Sequence, residues 1–273
     1  MDPESSEIYR EDNLGSAAQG NLSEAGWPGL AICISHTGQV RTNNEDRFRL
    51  GFKDGIFIVA DGMGGHLAGE TASSMVVDLL PDMLHSGVQQ STETPIRYKS
   101  MLGNCLKDLS RLVNEKGASE PDLAGMGSTV AVVWFTDELG TIYLGNVGDS
   151  RIYYFRKKSL NQLSQDHSLA SLLLLNGEIT AEEARHHAAR STLYRYIGME
   201  GEAAAELHDM RVQKDDILLL CSDGITDHLT DFRIQAILSE YEDLGEACQA
   251  LIDSANRQGG RDNLTAMLLK WQG

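Results

Sequence analysis

The chain has 273 residues, 41% of them apolar, and a formal net charge of −17. That length and apolar share can fill the core of one sizeable globular domain. The charge argues against nucleic acid as a partner, because a strongly acidic surface repels a phosphate backbone.

In chain order, residues 1–28 are rich in Ser, Glu, Asp, Gly and Asn and read as a flexible tail. From Leu30 the pattern becomes regular. "LAICISH" (30–36) and "GIFIVA" (55–60) are short, β-branched and bounded by Gly or charge, which predicts strands. Helical periodicity follows over Ala68–Leu84 and again over Ile96–Val113, the second interrupted by Gly103. "STVAVVWF" (128–135), "TIYLGNV" (141–147) and "RIYYF" (151–155) then come in quick succession as strands. Their short gaps favour antiparallel pairing, since parallel neighbours need a long crossover.

Residues 161–198 differ in character. "DHSLASLLLLNGE" predicts a short helix stopped at Gly177, and "TAEEARHH" opens on a capping box of Thr180 and Glu183. Together they read as a helical insertion beside the core. "DILLLC" (216–221) is a further strand, Phe232–Ser239 and Leu244–Ala255 are helical, and "NLTAMLLKW" (263–271) closes the chain as a strand. Helix pairs separated by runs of strands predict layers with helices outside and sheets inside, in one domain over 29–273.

The four cysteines, Cys33, Cys105, Cys221 and Cys248, form no Cys-x-x-Cys pair. Scattered in this way they predict buried, reduced thiols. No apolar run reaches the roughly 20 residues that span a bilayer, and the first residues lack a secretory pattern. The expectation is a soluble, cytoplasmic monomer without a membrane partner.

One stretch demands a reason beyond folding. In "FIVADGMGGH" an apolar strand stops on Asp61 and runs into Gly62 and a flexible loop. "ILLLCSDG" repeats the arrangement at Asp223 and Gly224. Asp149 in "GNVGDSRIYYF" and Asp262 in "GGRDNLTAMLL" are further acids at strand boundaries beside glycine. Singly, each is an ordinary turn. Together, glycine beside each acid would let backbone and ligand approach closely. "RTNNED" adds Arg41, Glu45 and Asp46, either as a solvated turn or as a phosphate-binding fork with two further acids. If these segments converge, carboxylates without His or Cys make an oxygen site for Mg²⁺ or Mn²⁺ rather than Zn²⁺. Two such ions could share Asp61, with the Gly62 carbonyl on one of them. They would activate water and neutralise a phosphate that the acidic chain otherwise repels.

"RTNNED", "VADGMGGH", "GSTVAVV", "VGDSRIY", "LSQDHSL", "ITAEEARHH", "LCSDGITD" and "GGRDNLT" follow one another in that order. Across residues 30–271 they resemble the bacterial branch of the metal-dependent Ser/Thr protein phosphatases of type 2C. The resemblance implies an α+β fold, a four-layer α-β-β-α sandwich of two antiparallel sheets flanked by helix pairs, with metals at one end. It implies hydrolysis of phosphoserine and phosphothreonine in proteins, opposing a bacterial Ser/Thr kinase or acting on its targets. Carried over by position, Arg41 would bind substrate phosphate. Asp61 and the Gly62 carbonyl would hold two core Mn²⁺ or Mg²⁺ ions, which Asp223 and Asp262 complete. Asp149 with Asp223 would take a third ion, and Asp46 and Glu45 would orient metal waters. Residues 161–198 would be a flap that contributes to substrate choice. Some relatives carry Asp-Gly-His where this chain has Met63; His66, three residues on, is either the proton donor to the leaving oxygen or a loop residue.

Two features of the flap have plainer readings. His186 and His187 are adjacent, so on a helix they diverge by about 100° and read as surface. Leu172–Leu175 reads as packing of the flap helix or as a partner-binding face. Two other functions fit the same residues less well. A pseudophosphatase would have lost core acids, and all are present. A metal-dependent phosphodiesterase or nuclease would want a basic groove, and none is apparent.

Overall fold

The computed structural model describes residues 16–21, 27, 29–136 and 140–273, leaving out the side chains of 16–21 and of His66. Strands β1 (Ser16–Asn21), β2 (Gly29–His36), β3 (Asp46–Gly51) and β4 (Ile56–Met63) lead into helices α1 (His66–Gln90) and α2 (Tyr98–Ser119). The short β5 (Gly127–Ser128) precedes β6 (Val130–Phe135), β7 (Thr141–Val147), β8 (Arg151–Arg156) and β9 (Ser159–Gln162). Helices α3 (Leu169–Leu175) and α4 (Ala181–His186) lie within residues 161–198, the segment expected to be the flap. The chain ends with β10 (Glu206–Arg211), β11 (Ile217–Cys221), α5 (Asp223–His228), α6 (Asp231–Glu240), α7 (Leu244–Arg257) and β12 (Leu264–Trp271).

Every strand pairing is antiparallel among the described residues. One sheet runs β1-β2-β12-β11-β8-β9, the other β10-β7-β6-β4-β3 with β5 paired to β4. Side-chain alternation sorts each strand between two layers. On β4, Ile56, Ile58 and Ala60 pack with Leu80, Leu102 and Leu106 of α1 and α2. Phe57 and Val59, at the alternate positions, share a core with Met267 and Leu269 of the opposite sheet. On β12, Leu264, Ala266 and Leu268 pack with Leu251 and Ile252 of α7. Strands buried on both faces are apolar throughout, which is why they read as unbroken runs. The result is the expected four-layer sandwich.

The layer between the sheets is closed at one end by aromatic rings. Phe135 and Trp271 stack at 5.4 Å, and Trp27 lies 4.8 Å from Phe57. Such pairs add about 0.5–1.5 kcal/mol beyond their burial. The other end of the layer is the site.

The structure corrects several sequence expectations. Ser16–Asn21 extends a sheet edge and Trp27 is buried, so the loose tail gives way there; the rest of 1–28 lies outside the described residues. Helix α1 runs past the expected end at Leu84, through Pro81, to Gln90. Gly103 does not interrupt α2: a Cβ there would come within 2.7 Å of Leu207, so the glycine admits β10 closely. Strand β3, in which Arg47 and Arg49 alternate with Phe48 and Leu50, adds to the expected elements. The Leu172–Leu175 run is not packing: Leu172, Leu174 and Leu175 are exposed and α3 buries only Ala170. All four cysteines are free and buried, as expected.

Candidate active site

The alternation that places Phe57 and Val59 between the sheets carries Asp61 to the open end of the same layer. The same parity brings Ser35 of β2, Asp46 of β3 and Thr265 of β12 to that end. Ser222, Thr129 and Ser150 arrive from the ends of β11, β6 and β8. The apolar layer therefore ends in hydroxyls and carboxylates.

Asp46 and Asp61 stand directly opposite each other across the β3–β4 pair. Like charges in that position repel. Asp46 is 3% exposed, and its Oδ2 accepts hydrogen bonds from Ser222 (2.8 Å) and Thr265 (2.6 Å). Its Oδ1 is buried without a partner. Burial pushes Asp46 up to about 6, against the pull of the two hydroxyls. Asp61 is held well above the carboxylate range by burial and then by Asp46, Asp223, Asp149 and Asp262. Asp223 is raised by burial and by Asp149, and Asp149 reaches about 7 through burial and Asp166. The acids thus share one field, and a cation or protons must compensate it.

Asp61, Asp149, Asp223 and Asp262 line one cleft of about 250 Å³, together with Arg41, Glu45 and Gly62. Arg41 sits on its exposed rim, where its Nη2 donates to Asp262 Oδ2 at 2.8 Å. Asp46 lies just behind the floor, beside Asp61. All the expected site residues whose side chains are described are therefore together. His66 begins α1 after Gly65, and its side chain lies outside the described part. Mg²⁺ and Mn²⁺ keep several waters and take few protein oxygens. The unpartnered Asp46 oxygen, the mutual repulsion and the all-oxygen donor set fit such ions.

The two Asp-Gly corners need glycine for the same reason. A Cβ on Gly62 would lie 2.1 Å from the Gly69 carbonyl of α1, and one on Gly224 only 1.9 Å from the Asn263 carbonyl. Each glycine lets a backbone crossing bring its acid to the cleft; this is a packing need in addition to the expected access to the Gly62 carbonyl. Asp223 lies not on a turn but on the first turn of α5.

Several supporting residues were not singled out by sequence reasoning. Thr129 Oγ1 accepts from the Asp61 amide at 3.0 Å and lies 2.6 Å from Ser150 Oγ. Asn263 donates to the Thr37 and Asn43 carbonyls and accepts from the Glu45 amide at 2.9 Å, tying the "RTNNED" loop to the "RDN" loop. His167, pushed down to about 4 by burial and Arg195, stays neutral, and its Nδ1 accepts from the Gly148 amide at 3.1 Å. It fixes the corner that carries Asp149. Asn263 and His167 lie inside quoted motifs, but nothing in their spacing distinguishes a brace from a ligand.

Comparison with known proteins gives a consistent picture. The family model described as Protein phosphatase 2C matches residues 35–269. The serine/threonine phosphatase stp of Listeria innocua is 36% identical over 236 residues, which cover 85% of this chain and 92% of that protein. The crystal structure of the serine/threonine phosphatase Stp1 from Staphylococcus aureus superposes with a TM-score of 0.79 at 29% identity, covering 93% of this chain and 99% of that one. The catalytic domain of the serine threonine protein phosphatase PstP, solved in complex with two manganese ions, gives a TM-score of 0.71 at 30% identity, covering 89% and 98%.

Proposed function

The chain belongs to the protein phosphatase 2C family and is a metal-dependent serine/threonine protein phosphatase of its bacterial branch; from this we propose how its own residues divide the work. Asp61, the Gly62 carbonyl, Asp223 and Asp262 would hold two core ions, Mn²⁺ or Mg²⁺. Asp149 with Asp223 would hold a third. Asp46 and Glu45 would orient metal waters. Bound ions supply charge neutralisation at the phosphoryl group and a more acidic attacking water. The observation that carries this reading is the opposed Asp46–Asp61 pair with a buried carboxylate oxygen left unpartnered.

The protein's part is positioning. Thr129 holds the Asp61 backbone, and Ser222 and Thr265 fix one oxygen of Asp46, leaving the other for a ligand. Arg41 is paired with Asp262 at the rim. With Asp262 engaged by a cation, the guanidinium would be able to bind a phosphate dianion in bidentate fashion. His66, next to the glycine loop, is the candidate proton donor to the leaving serine or threonine oxygen. We place the enzyme in the cytoplasm as a monomer opposing a Ser/Thr kinase; among the described residues no helix is long and apolar enough to cross a membrane.

Hydrolysis of a phosphothreonine peptide with Mn²⁺, with Mg²⁺ and with chelator tests the assignment. Activity should require metal, and Asp61→Asn should lower kcat at least about 10²-fold, the scale for losing one preorganised electrostatic group. Near-normal turnover by Asp61→Asn removes Asp61 from the centre.

A further inference from the structure

The open space does not stop at the catalytic cleft. Asp149 and Asp223, which line the cleft, also line a larger cavity of about 650 Å³. This groove runs between the flap helices α3 and α4 and the corner where α5 passes into α6. Two arginines of its lining are matched to acids. Arg151 pairs with Asp166 at 2.7 Å, and Arg190 with Asp227 at 3.0 Å.

Its apolar side chains are not matched. Leu174 and Leu175 stand 37% and 56% exposed on the flap side, and Phe232 of α6 is 79% exposed on the other. Every exposed large apolar side chain among the described residues lies on α3, at Phe232, or at Val40 and Leu67, the sequence neighbours of Arg41 and His66. A soluble surface scatters such residues singly; Leu174, Leu175 and Phe232 instead line one groove, which marks a contact surface.

We propose that this groove docks the polypeptide of the phosphoprotein substrate and takes an apolar side chain a few positions from the phosphoresidue, between Leu174, Leu175 and Phe232. The inference rests on the phosphatase reading of the cleft. Continuity identifies the occupant: a chain whose phosphate lies beside Asp149 and Asp223 can leave the cleft directly along this groove. The exposed Leu174, Leu175 and Phe232 select the side chain. A charged residue laid against them would shed water without a partner among them, whereas an apolar one covers them. The groove therefore reads sequence near the phosphoresidue, while the acids read phosphate.

The test uses the full-length, Mn²⁺-loaded enzyme and phosphothreonine peptides carrying Leu, Ser or Glu at one position at a time, on either side of the phosphoresidue. Hydrolysis of p-nitrophenyl phosphate, which has no peptide, is the reference. At one position Leu should exceed Ser and Glu in kcat/KM by about tenfold, chiefly through KM, the scale of a small apolar pocket contact. In Phe232→Ser and Leu175→Ser that preference should shrink to within about twofold, and the ratio of peptide to p-nitrophenyl phosphate turnover should fall by the same factor. Absence of any position favouring Leu, a preference for Glu, or a preference that survives both substitutions overturns the proposal. So does a wild-type dimer in sedimentation that Phe232→Ser dissociates, since a second copy would then cover the groove. Failure of the wild type to hydrolyse p-nitrophenyl phosphate with any metal is a separate result, against the phosphatase reading itself.

Discussion

The floor of the cleft and the flap beside it are built on opposite principles. On the floor, Asp46 is clasped by Ser222 and Thr265, the Asp61 backbone by Thr129, and the "RTNNED" loop by Asn263. Each contact comes from a buried residue in a strand or directly beside one. The flap has little of this. Helix α4 buries no side chain and α3 only one, and a half-exposed ion pair, Arg190 with Asp227, ties the flap to α5. Charges that must meet a phosphoryl group need placement to within a fraction of an ångström. A surface that meets varied protein substrates needs a fit that can adjust. Substitutions on the floor should therefore act on kcat, and those on the flap on KM.

The comparison breaks most sharply at Asp223. Asp223→Asn keeps the shape of the α5 start and removes a charge that Asp149 and Asp262 repel. We expect kcat with Mn²⁺ to fall at least about 10²-fold while the metal-free melting temperature stays level or rises. A large loss of fold in this variant would mean that Asp223 is structural. Arg41→Ala comes next. The guanidinium is on the rim, so the fold should not change. KM for a phosphopeptide should rise about tenfold, the scale of one charged hydrogen-bonding partner, with metal affinity by calorimetry level or slightly higher because Asp262 is released. An unchanged KM and kcat removes Arg41 from phosphate binding.

How far the floor could be read in advance follows from which contacts are local. The strands of the inner layers are legible because both faces are buried and the runs are unbroken. The acids are legible as carboxylates at strand boundaries with glycine nearby. The braces are not. Thr129 touches Asp61 from 68 positions away, and Asn263 reaches the Glu45 amide across 218; no spacing rule spans such distances. The opposition of Asp46 and Asp61 is equally invisible until β3 is registered against β4. Strand β3 itself could have been found from Asp46, Phe48 and Leu50 alternating with arginine. Thr129→Ala tests whether such a brace matters to chemistry. It removes the acceptor for the Asp61 amide and the partner of Ser150, and should cost about 1–2 kcal/mol of stability. It should also lower kcat several-fold with little change in KM.

The shared field of the floor has its own signature. A carboxylate whose folded pKa is raised binds more protons in the folded than in the unfolded state between its two values, so stability falls as pH rises through that window. For Asp46 and Asp149 the window opens near the ordinary carboxylate value of about 4 and closes at about 6 and about 7. With chelator present, the protein should melt a few degrees lower at pH 8 than at pH 5.5. Saturating Mn²⁺ should close or reverse that gap, because it binds the ionised acids and releases their protons. Calorimetry in two buffers of different ionisation enthalpy would count the protons released. An equal melting temperature at both pH values without metal would show that burial and the shared field do not raise these acids as their placement implies.

The flap latch should show the smallest effect, and it is the cleanest check on the contrast. Arg190 reaches across from the flap to Asp227 on α5, the helix whose first residue is Asp223. The pair is 42% and 31% exposed, so solvent screens it and Arg190→Ala should cost no more than about 1 kcal/mol. If the latch only sets where the flap rests, KM for phosphopeptides should shift about twofold while p-nitrophenyl phosphate turnover and metal affinity stay constant. If kcat for the small substrate falls as well, α5 transmits the flap's position to Asp223. The floor and the flap would then be one mechanical unit, and the division between kcat and KM would not hold.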